Sequence, residues 1–150
     1  MMRYIDHILQ PGETLAYTTT LHWIVYLPAI GLWLLAFISL TAGGAAGPGA
    51  ILVALVCALT GLALAFGAWF RRWTTEIDVT DRRIVYKRGF IRRHTVEMNM
   101  DKVESVDVDQ SILGRMLNYG DITIRGTGVG IEPLHNIHAP LEFRNQVTAR

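Results

Sequence analysis

The sequence predicts a hairpin of two transmembrane helices joined to a mainly β soluble domain that ends in a C-terminal helix. Residues 14–70 form a run of 57 positions without Asp, Glu, Lys or Arg, and Arg71-Arg72 ends it. A glycine-rich segment, residues 43–49, divides this run into two apolar blocks. Each block is close to the roughly 20 residues that span a bilayer as a helix. Beyond Thr74 the apolar residues recur at alternate positions, which is typical of strands.

The segment before the apolar blocks, residues 1–20, is too polar to lie in a bilayer and too short to form a domain. Residues 13–21 alternate, with Leu15 and Tyr17 on one side and threonines on the other. This pattern predicts a strand. A lone strand is unstable, so we expect it to pair with the sheet of the soluble domain.

The apolar run, residues 21–70, predicts two spans, about Leu21–Thr41 and Ala50–Phe70. Pro28 is expected to kink the first span or to break its hydrogen bonding locally. The first span is longer than the core of a cleaved signal peptide, and its leader has no net positive charge, so cleavage is not expected. Neither span contains a charged residue, which argues against a transporter or channel.

The distribution of basic residues predicts the orientation of the hairpin. The connecting loop, residues 42–49, has no Lys or Arg, whereas Arg71 and Arg72 follow the second span. Because basic residues favour the cytoplasmic side, both termini should be cytoplasmic in a multi-pass protein of the cell membrane. Aromatic residues occur where both spans would meet the cytoplasmic interface: Trp23, Tyr26, Trp69, Phe70 and Trp73.

The second span carries a stripe of small residues that permits close helix contact. Its members are Ala54, Ala58, Gly61 and Ala65. Two interpretations remain open. The stripe packs on the first span of the same chain, or it forms a contact between protomers.

The soluble domain, residues 71–150, shows consecutive strand patterns separated by turns. The predicted strands are 75–80, 83–87, 90–98, 103–109, 121–125 and 131–137. Residues 111–118 break the alternation and predict a short helical turn, while residues 139–150 predict a helix with Leu141, Phe143 and Val147 as apolar anchors. Such an order suggests a small antiparallel sheet curled around a core and capped by the helix.

Two stretches carry a family resemblance: VTDRRIVYKRG at 79–89 and the longer MDKVESVDVDQSILGRMLNYG at 100–120. With them the chain resembles the bacterial pleckstrin-homology-like (PH) family, in its membrane-anchored form with two preceding transmembrane helices. The resemblance covers most of residues 74–147. It implies a bent, split antiparallel barrel with a C-terminal helix, and it supplies no catalytic residues to transfer.

The motifs with possible chemistry favour no enzyme, cofactor or metal. Gly126, Gly128 and Gly130 lack the lysine and the following helix of a phosphate loop. The histidines at 94, 135 and 138 lack an evident set of companion ligands, and no serine triad is indicated. The single cysteine, Cys57, is interpreted as a packing residue. Near-neutral charge without interleaved aromatic residues argues against nucleic-acid binding.

Charge is unevenly distributed in the soluble domain. The basic window, residues 82–93, has no acid, whereas the acidic window, residues 97–109, has five acids and one lysine. Anionic lipids attract basic clusters near a membrane. The candidate lipid-facing residues are Arg71, Arg72, Arg82, Arg83, Lys87, Arg88, Arg92 and Arg93. The simpler interpretation of both windows is a solvated surface, and a further one is contact between them in neighbouring protomers.

These observations predict a non-enzymatic adaptor or scaffold module at the cytoplasmic face of the membrane. The alternative is an anionic-lipid sensor that uses the basic window. Expected partners are membrane lipids, further copies of the chain in a homo-oligomer, and an unidentified membrane or cytoplasmic protein.

Overall fold

A computed structural model describes residues 8–89, 94–128 and 130–149. The chain forms two compact units. The helical unit is Trp23–Arg71, and the β unit combines the residues up to His22 with those from Arg72 onward. The β unit is therefore built from two pieces of chain, one on each side of the helical unit in sequence.

The helical unit contains two long helices. A 3-10 turn, Trp23–Tyr26, precedes α1, Leu27–Ala46, and α2 follows as Pro48–Thr74, whose last residues belong to the β unit. By length and composition, the segments Trp23–Thr41 and Pro48–Thr74 are apolar enough to cross a membrane.

The helix bounds differ from those predicted. Leu21 and His22 belong to the β unit, because they pair with a strand near the C-terminus. At the other end, α1 continues through the predicted loop to Ala46, and Gly47, with φ of 73°, makes the turn. Pro28 lies in the first turn of α1, directly after the 3-10 turn, where its missing N–H costs no helical hydrogen bond.

The β unit contains two antiparallel sheets. The first has the order β1-β2-β3-β4 and the second the order β5-β6-β7. A 3-10 turn, Met100–Lys102, joins the two sheets, α3 lies between β5 and β6, and α4 follows β7. The strands are β1 Leu15–Thr19, β2 Glu76–Thr80, β3 Arg83–Arg88, β4 His94–Asn99, β5 Val103–Asp109, β6 Tyr119–Gly126 and β7 Ile131–His138, and the helices are α3 Ile112–Leu117 and α4 Pro140–Thr148.

The N-terminal segment contacts both sheets. Its strand β1 pairs with β2, with Thr18 opposite Asp78. Beyond β1 the chain reaches β7, where the His22 N–H donates to the Asn136 carbonyl (2.7 Å) and the His138 N–H donates to the Thr20 carbonyl (3.1 Å). The alternation in residues 13–21 thus corresponds to a real strand, and its extension links the two sheets.

The core lies between the sheets and under α4. Its fully buried side chains come from both sheets and from Phe143 of α4: Ile77, Val79, Ile84, Ile122, Ile124 and Ile137. Pro140 and Val147 are also buried, but Leu141 is 43% exposed, so its predicted anchoring role is wrong. Leu141 follows Pro140 in the first helical turn, on the side of α4 that faces away from the core.

The first residues of two strands, β6 and β4, bear on the predicted bounds. The sixth strand of the chain, β6, begins at Tyr119 rather than Asp121, because Tyr119 already pairs with His138. The predicted strand 90–98 is described only from His94 onward, since residues 90–93 lie outside the described residues.

Candidate functional site

Within the predicted lipid-facing set, Arg83 is occupied by contacts inside the β unit. Its guanidinium donates from Nε to Glu13 Oε1 (3.0 Å) and from Nη2 to Glu13 Oε2 (2.9 Å). Further bonds reach Glu97 Oε2 from Nη1 (2.8 Å) and the Ile8 carbonyl from Nη2 (2.7 Å). Only 13% of the side chain is exposed. Arg83 therefore holds the N-terminal segment against the sheet, and these contacts cover most of its side chain.

The partner carboxylate, Glu13, is buried and ionised. Burial by itself raises its pKa, but donors from the Gln10 N–H, the Thr80 hydroxyl and Arg83 outweigh burial and lower the pKa from 4.5 to about 2. The Thr80 Oγ1 donates to Glu13 Oε1 at 2.7 Å. The carboxylate is thus held charged by the fold, and its role is structural.

The remaining cations of the basic window are dispersed. Arg82 and Arg88 are exposed, but Arg82 directly precedes β3 and Arg88 ends it, which separates them by about 20 Å along the strand. Lys87 is half-buried. Arg92 and Arg93 lie outside the described residues. Arg71 and Arg72 are exposed near the end of α2. A cluster in sequence therefore does not become one basic pocket in the part that the structure describes.

The acidic window meets basic residues of the same chain. Glu97 on β4 pairs with Arg83 on β3, and Asp107 on β5 pairs with Arg125 on β6 at 2.9 Å. Strands β3 and β4 are hydrogen-bonded neighbours, so the basic and acidic windows adjoin each other within one chain. Their complementary charge thus gives no specific support to a contact between protomers.

The small-residue stripe lies partly against α1 of the same chain. Ala54 and Gly61 are buried and Ala65 is half-buried, whereas Ala58 is exposed. A Cβ built on Gly61 would lie 2.6 Å from Trp33 Cδ1 and 3.3 Å from the Ala29 carbonyl oxygen. The Trp33 indole N–H donates to the Ala58 carbonyl at 3.4 Å. Gly61 therefore gives the Trp33 ring the space to pack between the helices.

Aromatic side chains gather at the end of the helical unit where α1 begins and α2 ends. They line an open apolar groove of about 490 Å³ together with aliphatic residues of both helices. The rings are those of Trp23, Tyr26, Trp33, Phe66 and Trp69. Rings of this kind favour the boundary between hydrocarbon and water.

The described histidines lie in three places: His94 begins β4, His135 lies beside Asp121, and His22 stacks with His138. The His135 ring nitrogen Nδ1 lies 2.7 Å from Asp121 Oδ2. The His22 ring stacks between those of Tyr119 (5.2 Å) and His138 (5.5 Å). Among residues 8–89, 94–128 and 130–149, no group of three His, Cys, Asp or Glu residues could hold a metal ion.

Comparison with protein families identifies the fold. The model of the bacterial PH domain matches residues 20–150, a range that includes both long helices and most of the β unit. The chain belongs to the bacterial PH domain family. The resemblance of residues 79–89 and 100–120 is thereby confirmed, and the two sheets with a C-terminal helix agree with a PH-like domain. Comparison with curated proteins and with solved structures gives no match.

One exposed apolar surface of this bacterial PH domain was not singled out from the sequence. The short helix α3 exposes Ile112 (81%), Leu113 (62%), Met116 (76%) and Leu117 (39%). The available signal was their spacing, i, i+1, i+4 and i+5, which places all four on one side of a helix. The predicted helical turn at residues 111–118 did not indicate which side of the helix the fold would leave uncovered.

Proposed function

We propose that the protein is a non-enzymatic, membrane-anchored PH-like module that serves as an adaptor or scaffold at the cytoplasmic face. The hairpin of α1 and α2 crosses the membrane, and the β unit presents a binding surface on the inner side. This combination supports an adaptor role, because a domain anchored beside the membrane can hold its partners there.

The observation that carries the proposal is the outer surface of the helical unit. Large apolar side chains on both helices are more than half exposed, among them Leu34, Phe37, Ile38, Leu52 and Leu62. A surface of this extent is an aggregation hazard in water but matches the hydrocarbon of a bilayer. The run of 57 residues without a charge supports the same conclusion.

The non-enzymatic part of the proposal rests on the family and on the polar residues of the β unit. PH-like domains are generally without catalysis. The most deeply buried charged pair, Glu13 with Arg83, is engaged in joining chain segments. The same pair lines a groove together with residues such as Gln10, Asp81 and Asn99.

Site-directed thiol labelling in intact cells tests the topology. In a Cys57→Ala background, a cysteine at G49C, near the turn between the helices, should react with a membrane-impermeant reagent added outside. A cysteine at T127C, exposed in the β unit, should react only after the cells are opened. External reaction at T127C with protection at G49C would reverse the proposed orientation, and reaction at both sites would rule out a spanning hairpin.

Anionic-lipid sensing by the basic window is less well supported than the adaptor role. The guanidinium of Arg83 is committed to Glu13 and Glu97, and Arg82 lies far along β3 from Arg88. Such spacing suits a diffuse attraction to a charged surface better than recognition of one headgroup. Binding to anionic vesicles at increasing salt concentration distinguishes the two, because headgroup recognition persists at a salt concentration that screens diffuse attraction.

Self-association is part of the same proposal. A β unit of this size gains little stability from its core alone. Among the described strands, β4 pairs with β3 on one side only, so β4 is an edge strand of the first sheet. Edge strands are common sites of pairing between chains. Light scattering of the detergent-solubilised protein gives the test, and a single-protomer mass over a wide concentration range would refute self-association.

A further inference from the structure

We propose that α3 is an interfacial anchor, which inserts its apolar side into the same bilayer that the hairpin crosses and so fixes the orientation of the β unit on the membrane. This inference rests on the proposed function, because it needs a spanning hairpin. It adds a second membrane contact to the β unit.

The first step is the composition of the exposed surface. The side of α3 that the fold leaves uncovered carries Ile112, Leu113, Met116 and Leu117, whereas Gly114 on the opposite side is buried. Arg115 is exposed next to Ile112, at the margin of the apolar side. Apolar side chains bordered by a cation match the boundary between acyl chains and headgroup phosphates.

The second step is that α3 is held firmly by polar residues around it. The Ser111 hydroxyl accepts the Gly114 N–H (3.0 Å), and the Gln110 side-chain amide donates to the Tyr119 carbonyl (2.9 Å). Asn118 ends the helix in the left-handed conformation, with φ of 58°. A Cβ on Gly114 would lie 2.6 Å from the Tyr119 carbonyl oxygen, so the helix is packed closely against the start of β6.

The exposed apolar side chains therefore do not belong to a loosely attached loop. The surrounding polar groups satisfy one another, which leaves the apolar side as the part without a structural role inside the β unit. An apolar surface that a fold builds and holds in place usually marks an interaction site.

The third step places α3 beside a point where the chain joins the hairpin. His22 is the last residue of the β unit before α1, and its ring stacks on Tyr119 directly after α3. The backbone of Leu117 forms a hydrogen bond with the same ring, and Arg72, where the chain returns from α2, is close enough to interact with it electrostatically. The connection at His22 thus lies beside the C-terminal end of α3, and Arg72 acts electrostatically on the same ring.

This location decides between a lipid surface and a protein partner. If the hairpin spans the membrane, residues next to His22 and Arg72 must lie near the bilayer surface, whichever partners are present. The apolar side of α3 would meet lipid first, and a second copy or another protein would have to displace that lipid. The lipid surface is therefore the occupant that the chain connections favour.

The test uses the full-length protein in phosphatidylcholine–phosphatidylglycerol vesicles, with a polarity-sensitive fluorophore on single cysteines in a Cys57→Ala background. The test probe is at M116C. A probe at L52C, exposed on α2, reports the hairpin, and a probe at T127C reports the far end of β6. That end is about 25 Å along the strand from Tyr119. Lipids carrying a nitroxide quencher near the headgroup or along the acyl chain report contact with the bilayer.

The expected result is a blue-shifted emission at M116C and loss of fluorescence with the shallow lipid quencher, while T127C shows neither. The double change I112Q and L117Q should reverse both effects at M116C. The matched change L141Q, at an exposed leucine of α4, should leave them unchanged. All three positions are exposed, so folding should persist, and amide exchange in β6 verifies it.

Three other results would overturn the inference. Quenching at L52C without quenching at M116C would show that the hairpin lies in the bilayer and that α3 does not. A blue shift at M116C that no lipid quencher reduces assigns the surface to a protein contact instead. Absence of quenching at both L52C and M116C refutes the proposed function itself.

Discussion

Glu13 and Arg83 lie 70 positions apart in sequence, yet the two side chains form a buried ion pair with two hydrogen bonds. Thr80 adds its hydroxyl to the same carboxylate. The pair fixes the residues that precede β1 to the beginning of β3. It also explains why the sequence cluster of basic residues is not a single surface, since one of its members, Arg83, is used inside the fold.

Removing the guanidinium should weaken the β unit. Arg83→Gln leaves the Glu13 carboxylate buried without its cation, and the expected loss is about 3 kcal/mol in the free energy of unfolding of the β unit. Hydrogen exchange of β2 and β3 amides in the detergent-solubilised full chain measures this loss. The matched change Arg82→Gln, at the exposed neighbour, should alter the same amides very little; an equal effect of the two changes would contradict the assigned role.

The low pKa of Glu13 predicts acid sensitivity. The folded pKa, about 2, is below the ordinary 4.5, so the stabilisation is fully present above about pH 4.5 and is lost as the pH falls towards 2. A difference of this size corresponds to about 3 kcal/mol. Exchange of β2 and β3 amides, corrected for the intrinsic rate at each pH, should show the loss in that window. Glu13→Gln should lower the free energy of unfolding above pH 4.5 and make it depend less on pH. An unchanged slope of this free energy against pH would assign the acid sensitivity to other groups.

Strand and helix positions were predictable where the pattern of apolar residues was regular. The alternation in Val103–Asp109 predicted β5 with its observed bounds, and the apolar blocks predicted both long helices. The ends of α1 were not predictable, because hydropathy does not distinguish Leu21, which pairs with Ile137, from the first residues of a span. Glycines 43 and 44 suggested a loop, but glycine only weakens a helix, and α1 continues through both of them to Ala46.

The candidate site was less predictable than the fold, for a physical reason. Charge density along a sequence gives no information on partners from distant segments, and Arg83 finds Glu13 only because β1 returns to the sheet. The same limit applies to α3. Its spacing indicates a helix, but only the packing of Gly114 against the Tyr119 carbonyl determines which side is left exposed.

Packing in the helical unit predicts an asymmetric response to two glycine substitutions. Gly61→Ala places a methyl group against the rigid Trp33 ring and the Ala29 carbonyl, and overpacking of this kind typically costs about 1 to 3 kcal/mol. Gly67→Ala on the same helix meets no atom within 4 Å and should be tolerated. Thermal aggregation of the detergent-solubilised chain, together with its total tryptophan emission, provides the comparison. Equal tolerance of both changes would show that the helices do not depend on close approach at Gly61.

The last prediction concerns the smallest part of the chain that folds. Residues 71–150 alone lack β1, which pairs with β2 and places the Tyr17 ring edge-on to Phe143 at 6.5 Å. They also lack the Thr19 hydroxyl that donates to the His138 carbonyl (2.8 Å) and the Glu13 partner of Arg83. We therefore expect this fragment to aggregate or to leave β2 amides unprotected from exchange.

A rejoined chain should restore the fold without the hairpin. Residues 8–22 linked to 72–149 by a flexible Gly/Ser segment keep both pieces of the β unit. In mild detergent, which shields α3, this protein should be monodisperse and protect β2 amides from exchange. Thr18→Pro in the rejoined chain should reduce that protection, because proline interrupts a strand next to Asp78. If residues 71–150 alone protect β2 as well as the rejoined chain does, then β1 is dispensable, and the PH-like domain begins after the hairpin.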